Sequence, residues 1–309
     1  MVEGHVISYL WQDQRPTLQI LSSNEIHKVC LDEYSHISIK VDKERRCVGT
    51  YIDGEYRACP HNSLTQSTDR CPECTYEQFF RNCDILNVEH LKQGKNCIFH
   101  PLCSKEELNS LKKDILCCKI HVVYLAVFGD VLKIGITQNK RLYQRMIEQG
   151  ADAFVPVLSA RNRAEAREIE NTISKDMGFP QRMTGNEICN TLTNYDEQKA
   201  DSLLLDCAVK ICKSKGLPIP NFKVIKLDNK YPMPELINNP IFTREMEFKG
   251  DIVGIKGRLL IYENYGSPQC SLDNSKMTFA LDLSKLVGRN INMSGELINH
   301  NQEDHGSIY

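Results

Sequence analysis

Seven of the chain's fourteen cysteines fall between Cys47 and Cys103, with His61, His90 and His100 among them. No other feature restricts the fold as strongly, because thiols this dense are oxidised, metal-bound or, as the plainest alternative, simply reduced. The opening stretch MVEGHVISYLWQDQRP has an acidic residue early and no small-residue cleavage site behind an apolar core, so it does not read as a secretory signal. The expected compartment is the cytosol, where thiols stay reduced and disulfides are rare. Metal is then the natural reading. CPEC (Cys71 to Cys74) spaces two thiolates for one tetrahedral ion, and CIFHPLC sets Cys97, His100 and Cys103 three residues apart. One partition puts Cys47, Cys59, Cys71 and Cys74 on a first zinc ion, and Cys83, Cys97 and Cys103, with His100, on a second. Cys30 and His61 remain open as substitutes, and an iron–sulfur cluster is a lesser alternative for the second group. Each set closes the coordination shell, as structural rather than catalytic zinc does. A segment with so little apolar periodicity needs such a staple. Cys207 and Cys212, in LLLDCAVKIC, read instead as small core residues.

The rest of the chain divides around this segment. Residues 1–46 alternate in strand fashion, 47–104 hold the cysteine cluster, and 105–216 read as a hairpin with helices. Residues 217–240 form a Pro- and Asn-rich linker, and 241–309 return to short strands with Gly punctuation, a small barrel or sheet. The fold class is α+β. Helices are expected after the cap at Ser104, over about 139–149 and 163–177, and along DEQKADSLLLDCAVKICKSKG up to Gly216. A net charge of −2 excludes a uniformly basic nucleic-acid binder, though not a local basic patch. No apolar run approaches the roughly 18 residues that a membrane span needs.

HVVYLAVFGDVLKIGIT, residues 121–137, reads as two strands around a turn in which Gly129 supplies a positive φ. With a period of two, Val123, Leu125 and Val127 share one face with Leu132, Ile134 and Ile136. Tyr124, Lys133 and Gly135 lie on the other, an odd set for an apolar hairpin. In the next helix Leu142, Tyr143, Met146 and Ile147 form the apolar stripe, with Arg141 and Arg145 on a neighbouring face. Farther on, Ala166, Ile169, Ile173 and Met177 mark a buried stripe, and Glu170 falls about 50° from its centre. A carboxylate turned toward a core must be paired or hold a metal. Residues 119–182 carry ten Lys and Arg against seven Asp and Glu, so the basic excess lies with these residues.

This order of parts resembles the GIY-YIG endonuclease superfamily over roughly residues 120–195. VVYL stands where the first motif belongs and LKIG where the second does, while RMIEQGA is similar to the arginine helix and AREIE to the glutamate helix. The whole arrangement is similar to an uncharacterised prokaryotic family in which a cysteine cluster precedes this core. The resemblance implies that Tyr124 helps activate the attacking water and that Lys133 replaces the second tyrosine, leaving the general-base role open. Gly135 lets substrate or backbone approach, Arg145 steadies phosphate charge with Arg141 as its rival, and Glu170 is the sole carboxylate on a Mg²⁺ or Mn²⁺ ion. Arg167 joins Gly135 and Arg141 as an expected substrate contact. Asn186, Asn190 and Asn194 compete for a further polar position, and Gln149 stands where many relatives have histidine. The implied activity is metal-dependent hydrolysis of phosphodiester bonds in DNA or RNA. The alternatives are a zinc-containing nucleic-acid-binding protein without catalysis and an RNA-modifying enzyme on the same fold.

Overall fold

The computed structural model describes residues 1–79, 88–93, 119–265 and 276–298. Cys83, Cys97, His100, Cys103 and the helix expected after Ser104 lie outside them. The first 41 residues form four strands: β1 (Val2–Gln12), β2 (Arg15–Ser22), β3 (Glu25–Cys30) and β4 (Tyr34–Val41). The two tight turns among β1, β2 and β3 place Asp13, Gln14, Ser23 and Asn24 at positive φ, which matches the twist of the flanking strands. A small hairpin, β5 (Thr50–Ile52) and β6 (Glu55–Arg57), then leads to α1 (Pro72–Phe79) and α2 (Val88–Lys92).

The central hairpin is β7 (His121–Phe128) and β8 (Val131–Gln138), with Gly129 at φ 59° in its turn. After it come α3 (Leu142–Gln149), β9 (Ala153–Ala160), α4 (Arg163–Met177), α5 (Gly185–Cys189) and α6 (Glu197–Ser214). Asn162 caps α4 by accepting from the Glu165 N–H, and Asp196 caps α6 through the Lys199 N–H. The chain closes with β10 (Ile225–Lys226), β11 (Ile241–Thr243), β12 (Glu247–Lys256), β13 (Leu259–Tyr265), β14 (Lys276–Asp282) and β15 (Asn290–Leu297).

The architecture is mixed α+β, mostly sheet. A nine-stranded sheet runs β11-β14-β13-β12-β4-β15-β1-β2-β3, and a four-stranded one runs β10-β9-β7-β8. Residues 1–46 and 241–309, set apart in the sequence as two β units, therefore build one sheet: β4 lies between β12 and β15, antiparallel to both. The 217–240 stretch is packed rather than a free linker, with Leu227 and Tyr231 both buried. Among the described residues no helix is long and apolar enough to cross a membrane.

Each face of the four-stranded sheet has its own cover. Val123, Leu125, Val127, Leu132 and Ile134 pack beneath Ala166 and Ile173 of α4 and Leu204, Cys207, Ala208 and Ile211 of α6. Val122, Tyr124, Ala126 and Phe128 point the other way, into a core shared with Met146 and Ile147 of α3 and with the nine-stranded sheet. The Tyr124 face is thus not a wetted face. All eight residues of β7 are buried, because a second sheet covers what strand alternation alone leaves open.

The two sheets meet where the turn between β12 and β13 docks on the end of α3. A Cβ at Gly257 would lie 2.3 Å from the Gly150 nitrogen, so no side chain fits between the two backbones. The Gly257 carbonyl accepts from Tyr9 Oη at 2.5 Å and from Trp11 Nε1 at 2.7 Å. Beside it, Lys256 donates to Asp152 Oδ1, and Asp152 Oδ2 accepts from the Gly129 N–H at 2.7 Å. Lys256 and Asp152 are only 8% and 4% exposed. Breaking such a pair strands one charge in the core, so Lys256→Met costs about 3 kcal/mol or more in urea denaturation. Lys226→Met, which removes the exposed pairing with Glu197 and Asp201, costs under about 1 kcal/mol. Equal losses from the two changes would refute the assignment of Lys256–Asp152 as the seam's anchor.

Candidate functional site

Cys47, Cys59, Cys71 and Cys74 come together, with all four sulfurs within 4.8 Å of one another. Cys47 follows β4, Cys59 follows β6, and Cys71 and Cys74 flank the start of α1, whose first residue is Pro72. Two segments that lack a core of their own are thereby tied to the edge of the large sheet. Tetrahedral zinc at its usual thiolate distance sets sulfurs about 3.8 Å apart, and the Cys59 and Cys71 sulfurs are at 3.9 Å. The Cys71 N–H donates to Cys47 Sγ at 3.2 Å. Burial drives the Cys71 thiol up to about 11 and raises Cys74 further. At Cys59 burial also acts upward, but hydrogen bonds from Ser63 and His61 outweigh it and hold the thiol at about 7. Sulfurs pulled in opposite directions this close together suit a cation that takes all four as thiolates. The centre can hold a metal ion such as zinc, and these are the four cysteines assigned to the first ion from sequence. The second set lies outside the described residues.

The residues singled out on the hairpin lie on β7 and on β8, the edge strand of the four-stranded sheet. Tyr124 sits opposite Gly135 in the β7–β8 ladder, and a Cβ on Gly135 would lie 2.4 Å from Tyr124 Oη. Gly135 is therefore a bed for the Tyr124 ring; the residue that approaches it is this chain's own phenol, not substrate. Opposite Tyr124 on the other side, β9 carries an extra residue, Val157, next to Pro156. A bulge of this kind re-aims the side chains facing it.

Lys133 is 5% exposed and donates to Gln149 Oε1 at 2.6 Å. Its ammonium lies 5.7 Å from the Tyr124 ring centre and 5.9 Å from that of Phe128. Burial, with Arg145 and Arg258 adding repulsion and Glu170 opposing it, brings the Lys133 amine down to about 7. Burial also raises the Tyr124 phenol, against the influence of Arg145 and Gln149, so that it keeps its proton at neutral pH. Glu170 is 2% exposed and accepts from Arg167 Nη1. Burial raises its carboxyl, while Arg167, Lys133 and Arg145 act to lower it.

Chain geometry explains how a helix on one side of the sheet reaches residues on the other. β8 is the edge strand, and the chain leaving α4 crosses that edge, where the Ile134 N–H donates to the Pro180 carbonyl at 3.1 Å. Gln181, Arg182 and Met183 are thereby delivered to the Lys133 side. There they line a cavity of about 280 Å³ with Lys133, Arg145, Gln149 and Arg258, and Glu148 is its one acidic wall residue among the described residues. Arg258 is aimed by its bonds to the Met183 carbonyl and Asp282. Arg145 Nε is buried and has no hydrogen-bond partner among the described residues.

Arg141 lies outside this cavity; it is exposed and pairs with Glu148 at 3.5 Å. Arg167 also lies outside and is committed to Glu170 and Gln181. None of Asn186, Asn190 and Asn194 lines it: Asn194 bonds Asp130 at the hairpin turn and the Asn190 carbonyl accepts from Asn239. Gln181, Arg182 and Arg258 escaped the sequence reading. Arg258 is 75 residues past Met183 and follows an ordinary Gly turn, so no local pattern marks it.

A family model described as "Protein of unknown function (DUF2797)" matches residues 35–272, well over half of the chain. No curated protein and no solved structure matches it.

The four-cysteine centre predicts that Cys74→Ser removes one equivalent of bound metal per chain in elemental analysis, whereas Cys207→Ser, in the α6 core, removes none. Equal metal content in wild type and Cys74→Ser would refute the centre.

Proposed function

Since this chain belongs to the DUF2797 family of unknown function, we propose from its own residues that it is a nuclease of GIY-YIG type. In this reading Lys133 and Arg145 meet one phosphodiester from the cavity wall, while Tyr124 and Glu170, both buried and outside that wall, act through them. The observation that supports it most is the cavity whose wall carries Lys133, Arg145, Arg182 and Arg258, with buried Glu170 acting on Lys133 from behind. Four cations on a wall of this size call for a substrate anion, and phosphate is the one that guanidinium groups grip in pairs.

Glu170 supplies the oxygen donor that a hard divalent cation prefers, but its Oε2 is engaged by Arg167 and three cations act on it. Glu170 would hold a Mg²⁺ or Mn²⁺ ion only if Arg167 gave up its Oε2, so such an ion would enter together with a substrate phosphate. Such an ion supplies charge neutralisation at the phosphoryl and leaving oxygens. The chain's own residues do the rest. Lys133, with an amine near 7, is deprotonated in useful amount at neutral pH and takes the proton of the attacking water. Tyr124, buried behind the wall, lays its ring beside Lys133 Nζ and so positions it. Arg145 stabilises the negative charge that develops on the equatorial oxygens.

A second reading, nucleic-acid binding without cleavage, is favoured by the Arg167–Glu170 pair, which satisfies the carboxylate with no ion at all. Labelled DNA and RNA incubated with Mg²⁺ separates the two. Cleavage is expected for wild type and falls at least about 100-fold in Lys133→Met, Arg145→Ala and Glu170→Gln. Because Lys133 acts only after losing its proton, the rate rises with pH to a plateau above about 7, and Lys133→Arg removes that limb. Binding that persists in chelator, with no product from wild type or Glu170→Gln on any substrate, would leave only the second reading. Nucleoside mass spectrometry of treated RNA tests for modification in place of cutting.

A further inference from the structure

The cavity at Lys133 is one end of a longer depression. A second cavity of about 690 Å³ shares Arg182, Met183 and Arg258 with it. A third, of about 460 Å³, shares Ser284, Lys285 and Arg289 with the second. The third ends at Val48 and Arg70, the chain neighbours of Cys47 and Cys71 in the four-cysteine centre. Taken together, the three are lined by nine Lys and Arg against four Asp and Glu, a net of +5 in a chain whose net charge is −2.

The walls also alternate in kind. In the middle cavity Phe242, Met183, Met246 and Leu281 offer apolar surface between Arg244 and Lys285, both exposed. Cations spaced along a groove follow a phosphate backbone, and an aromatic or sulfur-bearing wall between them accepts the faces of bases. Volumes of a few hundred cubic ångströms hold about one or two nucleotides each and exclude a paired duplex.

We propose that this chain of cavities is a track for single-stranded nucleic acid, running from the four-cysteine centre past the ends of β4, β14 and β11 in the nine-stranded sheet to the Lys133 cavity. The proposal deepens the nuclease reading by naming an unpaired strand as its substrate, and it rests on that reading only for what happens at the strand's end. The metal centre then has a place in binding: it fixes the Arg45 and Arg70 end of the track, where Arg70 is held by the Gly49 carbonyl and the face of Phe79.

Binding is tested on the full-length protein in chelator, so that no cleavage enters. Fluorescent oligo(dT) and oligo(U) are titrated by anisotropy beside a duplex of the same length, across salt from about 50 to about 300 mM. Both or either single strand is expected to bind at least about tenfold tighter than the duplex, and the salt dependence reports the phosphates neutralised. Arg244→Glu with Lys285→Glu, neither in the proposed catalytic set, weakens binding at least about tenfold and lowers the salt slope by about two. Phe242→Leu weakens binding without changing the slope. Lys199→Glu with Lys213→Glu, on α6 away from the track, changes neither, and circular dichroism confirms that each variant is folded. Duplex binding as tight as single-strand binding, wild-type affinity in the Arg244/Lys285 variant, or displacement by polyglutamate as efficient as by oligonucleotide would overturn the track. Tight single-strand binding with no Mg²⁺-dependent product would instead overturn the nuclease reading and leave the track standing.

Discussion

The site depends on one contact, the docking of the Lys256–Gly257–Arg258 turn against Gln149–Asp152. It works because both backbones are bare there: Gly257 and Gly150 approach within a distance that no Cβ allows. Tyr9 and Trp11 saturate the Gly257 carbonyl, Tyr231 donates to the Ala151 carbonyl at 2.8 Å, and Lys256 meets Asp152 behind them. With these backbone and side-chain groups partnered across the seam, the two sheets have one relative placement. That placement carries Arg258 to within reach of Lys133 and turns Tyr124 into an interior residue. A cavity wall made by two sheets is only as well defined as the seam between them.

The same seam explains the depressed Lys133 amine. An ammonium on a lone hairpin would be hydrated; here a second sheet removes the water, and Arg145 and Arg258 add like charge. Glu170 offsets part of that repulsion from across the strand edge, and Arg167 in turn holds Glu170. The group is a balanced set in which each charge is tolerable because of the next. Concentrating cations in this way costs stability, which the apolar layers on both faces of β7 offset.

Much of this was legible in the chain itself. Period-two alternation and the FGDV turn gave the β7–β8 hairpin, and the 163–177 stripe gave α4 with Glu170 turned inward. The CPEC spacing marked Cys71 and Cys74 as a pair, and one partition, with Cys30 and His61 left open, joined to them Cys47 and Cys59, the other two sulfurs that meet. What local pattern could not supply was cover. Alternation marks two faces of a strand but not that both are buried under separate layers. Gly135 looked like a gap for substrate because the ring that fills it sits eleven residues earlier. Sheet pairing between residues 34–41 and 247–297 leaves no trace at either end, and neither does the arrival of Arg258 or Gln181.

The order of strands in the large sheet has a consequence for how the chain is made. β4 is flanked by β12 and β15, which begin 206 and 249 residues after its end at Val41. As the polypeptide leaves the ribosome, the β1–β2–β3 meander can assemble from neighbours, whereas β4 has to wait until almost the whole chain has emerged. For that interval its N–H and C=O groups present a ready template to any other extended segment. A strand that completes the fold last is thus also the one that a holding chaperone would have most reason to cover.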